Sequence, residues 1–269
     1  MLKPFKLTLS ALTIILSGCV SIQPPKNLAQ EVLPQLSEYY GIELTTNTKN
    51  IPTTSWGLQY TPITVGDEQK LSSYLSLFEQ EFSKMPPELL TLSNLKSVVF
   101  VKDMSIVEQS RAAVPDYLNE VLYYDINVKS AAYARRVIHH EFYHMLEQEL
   151  FGSAYYIDPD WTILNNSTFS YGNGGAFSRK GSLSGYDHPI TGFINGYAMS
   201  GIEEDKAEIW TILWLDYNWQ KVYPMLKADC VLISKINQLL NQMAERTEAL
   251  PVSFWHARFN PYLLKNKCS

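Results

Sequence analysis

His140 and His144 stand four residues apart, with Glu141 directly after the first. On a helix that spacing puts both imidazoles on one face, one turn apart, where they can share a metal ion. Glu141 lies about 100° further round the helix. From there a carboxylate can hydrogen-bond a water beside the metal without ligating it. The chemistry this triplet supports is metal-assisted hydrolysis, with two imidazole ligands and a general base from a single helical turn. His139 does not blur the register, because the residue four ahead of it is Tyr143.

Two histidines do not complete a catalytic zinc site, which ordinarily takes three protein ligands and leaves one position open. Met145 to Leu150 has neither the glycine nor the histidine of the metzincin pattern, so the third ligand is sought elsewhere. Glu204 and Glu208 share a helix face by the same four-residue spacing, and from Ile209 onward that helix is apolar nearly all round. Such a helix is buried, and a carboxylate entering a core is costly unless paired or metal-bound. Glu204 is therefore the expected third ligand. Glu208 is expected to accept the second ring N–H of a ligand histidine and so fix its tautomer. Glu203 and Asp205 fit a solvated acidic first turn favoured by the helix dipole. His188, in Gly185-Tyr186-Asp187-His188-Pro189, is the rival third ligand.

The His140-Glu141-x-x-His144 segment is the zincin arrangement. Together with Tyr197-Ala198 and Glu204-Asp205-Lys206-Ala207-Glu208 it resembles the anthrax lethal factor-like zinc metallopeptidases, on the gluzincin side where glutamate is the third ligand. Their pattern has a tyrosine seven residues before that glutamate and an Ala-Glu pair three and four residues after it. The resemblance covers residues 140–208. It departs from the pattern in the long interval between His144 and Glu204, and at Tyr143, where that family commonly has glycine. It implies one zinc ion on His140, His144 and Glu204, and Tyr197 as a hydrogen-bond donor to the oxyanion of the tetrahedral intermediate. It also implies a peptide or protein substrate. In zincins a strand beside the cleft commonly pairs with extended substrate, and Glu120 to Ile126 is the candidate. A peptidoglycan amidase-like hydrolase and a non-catalytic zinc-binding lipoprotein are the alternatives.

The elements that must position these residues read as an α+β fold: a zincin-like domain with a small mixed sheet, an active-site helix and C-terminal helices. Asp67 reads as the N-cap of a helix running to about Lys84, ended by Met85-Pro86-Pro87. Lys96 to Val101 and Glu120 to Ile126 read as strands. Ser130 to about Leu150 reads as the helix carrying the histidines, and helices follow near residues 203–218 and 228–247. Between them, residues 151–195 form a long Gly-, Ser-, Asn- and Tyr-rich segment centred on Gly172-Asn173-Gly174-Gly175. A loop of that length is usually functional. The catalytic domain is placed at 61–269. Residues 19–60, with Pro24-Pro25, read as a tether and N-terminal segment with a short helix near Leu28 to Tyr40.

At the N-terminus, two lysines precede a short apolar run from Leu7 to Leu16, far below the roughly 18–20 residues a membrane span needs. Leu16-Ser17-Gly18-Cys19 resembles a bacterial lipobox, so residues 1–18 are expected to be a signal peptide and Cys19 the lipidated N-terminus. Val20 after it favours the outer membrane where the cell has one. The expected setting is the bacterial cell envelope, with the membrane engaged through the lipid anchor. Net charge is −5 and no basic cluster is present, so nucleic acid is not an expected partner. In that oxidising setting Cys230 and Cys268 fit either a disulfide that pins the C-terminal tail, the favoured reading, or two free thiols.

Overall fold

A computed structural model describes residues 28–51, 54, 56–175, 185–216 and 219–258. Residues 1–18, expected to be a signal peptide, lie outside those residues, as do Cys19 and Cys268. Cys230 is disulfide-bonded. The fold is α+β, with helices packed against a small mixed sheet.

Helix α1 (Leu28–Tyr40) leads into strand β1 (Glu43–Thr45), and β2 (Leu58–Thr61) follows. The range expected to be a tether thus supplies Leu33, Leu36, Tyr40, Ile42 and Leu44 to the core. Helix α2 (Glu68–Phe82) buries Leu71, Tyr74, Leu75, Phe78 and Phe82, the stripe its spacing predicts. Short α3 (Pro87–Leu92) begins at the proline that bars α2 from continuing.

Strand β3 (Ser97–Ile106) is longer than the sequence suggests. Its first half pairs in parallel with β1 and with β6 (Val121–Asp125). Its second half pairs antiparallel with β2 and β4 (Gln109–Ser110). The two halves meet at Asp103, whose φ of +54° marks the break, and the Asp125 carboxylate accepts a 2.7 Å hydrogen bond from the next N–H, of Met104. Strand β5 (Ala113–Asp116) adds antiparallel to β6, giving the path β1-β3-β6-β5. This corrects the substrate-strand expectation. Glu120 to Ile126 lies inside the sheet with β3 on one side and β5 on the other, so its hydrogen bonds are already used. Strand β5 holds the edge.

Alternation along β3 and β6 sends Val98, Phe100, Leu122 and Tyr124 to the main core, and Val99, Val101, Val121 and Tyr123 to a smaller layer beneath β2. On the main side, Phe82 and Phe142 rings meet edge to face at 5.6 Å. The Tyr124 hydroxyl donates to Ile138 O at 3.0 Å. These contacts fasten α4 (Ala131–Phe151), the histidine-bearing helix, onto the sheet. Its ends are set by residues the sequence shows. Ser130 Oγ accepts from Tyr133 N at 3.2 Å, and Gly152 takes the left-handed φ of +73° that closes a helix.

After α4 come α5 (Pro159–Thr162) and then α6 (Ile202–Trp214), in which every residue is buried. It packs along α4, with the Tyr143 and Trp210 rings 5.7 Å apart. Helix α7 (Trp219–Ala228) packs on α8 (Cys230–Arg246), which packs on α6, and α9 (Val252–Arg258) brings Trp255 against Trp210 and Trp214.

Candidate metal centre

Helices α4 and α6 bring together what the sequence keeps sixty residues apart. His140 Nε2 lies 2.9 Å from Glu204 Oε2, His144 Nε2 lies 3.2 Å from His140 Nε2, and His144 Nε2 lies 3.6 Å from Glu204 Oε2. All three side chains are buried. A tetrahedral zinc with bonds of about 2.0–2.1 Å holds its ligand atoms about 3.3 Å apart, so the three spacings fit one such ion. The electrostatics agree. Burial disfavours a charged His140, yet hydrogen bonds to Glu204 and Glu208 outweigh it and hold the imidazole pKa well above its ordinary value. The pocket calls for positive charge at this point, and the His-His-Glu donor set can hold a metal ion there.

Glu208 stands on the other side of the His140 ring, with Oε1 3.0 Å from Nδ1. Two residues that sequence reasoning missed hold that carboxylate. Arg136 pairs with Glu208 Oε2 and lies over the Tyr186 ring at 4.8 Å, while Asn195 Nδ2 donates to the same oxygen at 2.6 Å. Arg136 was findable, because it precedes His140 by four residues on the same helix face. Asn195 was not, since nothing local marks it. Its Oδ1 also accepts from Ala198 N at 2.9 Å, so one buried amide ties Glu208 to the turn that carries Tyr197.

Tyr197 lies beside the cluster, its ring 5.8 Å from that of His140. Burial, then the Glu204 and Glu141 charges, push its hydroxyl pKa well above the ordinary range, so the phenol stays protonated. Glu141 is half-buried and faces the same cleft. Burial raises its pKa, opposed by the charges of His140 and His144, aided by Glu204 and opposed again by Arg111.

The structure corrects the acidic-turn expectation for Glu203 and Asp205. Both are buried. Glu203 accepts from Gly175 N at 3.2 Å. Asp205 takes 2.6 Å contacts from Lys235 Nζ and the Tyr171 hydroxyl, and a 2.9 Å bond from Trp161 Nε1. A helix start is solvated only when nothing packs on it, and here the long segment does. His188 is no rival ligand: its Nε2 bonds Asp229 at 2.7 Å, outside the His-His-Glu cluster.

No family model matches this chain, and no curated protein matches it. Among solved structures, that of a candidate zinc-binding metallo-peptidase from Bacteroides caccae is similar over 85% of this chain and 90% of that one. The sequence identity is 14% and the TM-score 0.46. Similarity that distant leaves fold and function to rest on the residues themselves.

The glycine-rich middle of the long segment, at Gly172 to Gly175, covers the metal centre directly. Gly172 N and Gly174 N donate to Met199 O and Ser200 O, at 3.1 and 2.7 Å. A Cβ on Gly175 would stand 1.7 Å from Glu204 Oε1 and 2.5 Å from the Tyr197 hydroxyl. Only glycine lets the backbone pass there. The remainder of Gly172 to Gly185, from 176 to 184, lies outside the described residues. Beside the centre opens a cleft of about 570 Å³, lined by β5 and its flanks along one wall and by Glu141, His144, Tyr155 and Tyr197 along the other.

Proposed function

We propose that this chain is a zinc-dependent peptidase of the gluzincin type, akin to the anthrax lethal factor-like enzymes, acting on peptide or protein substrates. One observation carries the reading: ligand atoms of His140, His144 and Glu204 converge within 4.8 Å at a cleft that Glu141 and Tyr197 also line. A single zinc ion, if held by those three residues, would supply Lewis acidity toward the scissile carbonyl and would lower the pKa of a water to roughly 7. Glu141 takes the proton from the attacking water and returns it to the leaving amine, a role suited to a carboxylate whose pKa burial has raised. Tyr197, kept protonated, donates to the oxyanion. Edge strand β5 offers its free backbone groups to an extended peptide, the role first expected of Glu120 to Ile126.

The lipobox-like Leu16-Ser17-Gly18-Cys19 supports a second element of the proposal, lipid anchoring at Cys19 in a bacterial envelope, with the outer membrane favoured by Val20. Among the described residues, no helix is long and apolar enough to cross a membrane.

The test is metal content and hydrolysis together. Wild type is expected to hold one zinc per chain and to cleave casein or a peptide library. Glu204→Ala is expected to lose the metal, and Glu141→Gln to keep it while losing activity. Full zinc affinity in Glu204→Ala would overturn the third ligand. Hydrolysis of purified peptidoglycan in place of peptides would move the substrate class to an envelope amidase.

A further inference from the structure

Among the described residues lining the cleft, Arg111 is the one cation, set among Asp116, Glu141, Glu203 and Glu204. It stands in the turn that enters β5, held by a 2.8 Å hydrogen bond from its N–H to Met104 O. Its guanidinium has no carboxylate partner among the described residues. Nη2 makes one long contact, 3.5 Å to the neutral Gln109 Oε1, and Nε is buried with no hydrogen-bond partner. What sets Arg111 apart is the missing carboxylate, since among the described residues other buried or half-buried cations have one, even Arg136, whose Nε and Nη1 are also unmet. Arg135 pairs with Glu81, Arg136 with Glu208, Lys206 with Glu147 and Lys235 with Asp205. A guanidinium presents a planar fork that matches a carboxylate in two parallel bonds, and leaving part of that fork buried and unmet is costly.

The register of β5 shows which backbone groups a substrate strand would meet, and antiparallel addition, part of the proposed peptidase reading, sets which end reaches Arg111. Ala112 O accepts from Asp125 N at 2.9 Å, and Ala113 stands opposite Tyr124. Backbone groups therefore alternate, with Ala112, Val114 and Asp116 turned toward β6 and Ala113, Pro115 and Tyr117 turned away. Pro115 falls on the outward set, where its missing N–H removes no bond to β6. A peptide that adds antiparallel to this edge runs opposite to β5. Its C-terminal end then lies toward the start of β5, beside Arg111.

We propose that Arg111 anchors a carboxylate carried toward the C-terminal end of the substrate. The shared chemistry is one carboxylate, from a free C-terminus or from an Asp or Glu side chain. The orientation rests on the peptidase reading above, whereas the pairing itself does not.

Three peptides of one sequence test it: a free C-terminal acid, the C-terminal amide, and the amide with glutamate near its C-terminal end. Each is assayed with zinc-loaded wild type, Arg111→Gln and Arg111→Lys. In wild type, KM for at least one carboxylate-bearing peptide is expected to be about tenfold or more below that of the neutral amide. Arg111→Gln should collapse that ratio toward one, with kcat moving less than KM, and Arg111→Lys should restore part of it. Whichever peptide shows the ratio names the source of the carboxylate. A ratio intact in Arg111→Gln, or no ratio in wild type, overturns the anchor. Calorimetric titration of the same peptides separates this from the peptidase reading. If wild type cleaves none of them, the peptidase reading fails, and the anchor stands or falls on whether Arg111→Gln abolishes a preference in Kd for the carboxylate. Circular dichroism confirms that each variant is folded.

Discussion

Glu208 Oε1 stands 3.0 Å from His140 Nδ1, across the ring from the Nε2 that faces Glu204 Oε2 at 2.9 Å. A proton on Nδ1, held by Glu208, leaves Nε2 with its lone pair free, and the imidazole is locked in the tautomer a metal needs. Arg136 and Asn195 hold Glu208 in turn. Replacing Glu208 with glutamine keeps the shape and removes the charge. We expect zinc affinity to fall roughly 10–100-fold, read by chelator competition. Unchanged affinity would show that the Glu208 charge does not tune the ligand.

Tyr197 approaches the cluster with a hydroxyl kept protonated by burial and by the Glu204 and Glu141 charges. If it donates only to developing negative charge, Tyr197→Phe should lower kcat by roughly 10²-fold or more with little change in KM. A rise in KM at constant kcat would instead assign the tyrosine to ground-state binding.

Gly175 passes so near the centre that an added Cβ would stand 1.7 Å from Glu204 Oε1. Gly175→Ala must displace either the backbone or the carboxylate. The expected result is a loss of zinc affinity of at least about tenfold with the fold retained, because the clash meets the proposed ligand Glu204 and no part of the hydrophobic core. Gly172→Ala is the comparison, since its Cβ would meet Ser200 O at 3.0 Å, away from Glu204. Equal affinities in the two variants would refute this account of Gly175.

Glu81 on α2 receives His139 Nε2 at 3.0 Å and Lys84 Nζ at 2.6 Å, with Arg135 beside it. Burial pushes its carboxyl up, but the hydrogen bonds and charges of His139 and Lys84 win and bring its pKa from 4.5 down to about 2. A depressed carboxylate stabilises the fold fully above its unfolded pKa, and the contribution is lost as pH falls toward the folded one. Stability should therefore drain away between pH 4.5 and about 2. Glu81→Gln should cost roughly 1–3 kcal/mol at neutral pH, by leaving neighbouring donors unmet. It should also flatten that acid slope in urea titrations, and a slope that persists in the variant would exonerate Glu81.

The sequence by itself determined the local half of the candidate centre. His140, Glu141 and His144 lie within one helical turn, and Ser130 and Gly152 bound that helix, so spacing alone places them. Glu204 and Glu208 were legible for a related reason: the apolar run after them forces their helix inward, which makes their charge conspicuous. Everything that depends on which surfaces meet was settled by the tertiary structure. Glu203 and Asp205 look solvated until residues 171–175 pack over them. Residues 120–126 look like a free strand until β5 covers their edge, because a strand's pattern records which face is buried and not which neighbour takes its hydrogen bonds. Asn195 and Gly175 carry no local signature. Their importance comes from contacts across 13 and 28 residues of chain, made only when α4, α6 and the long segment close on one another.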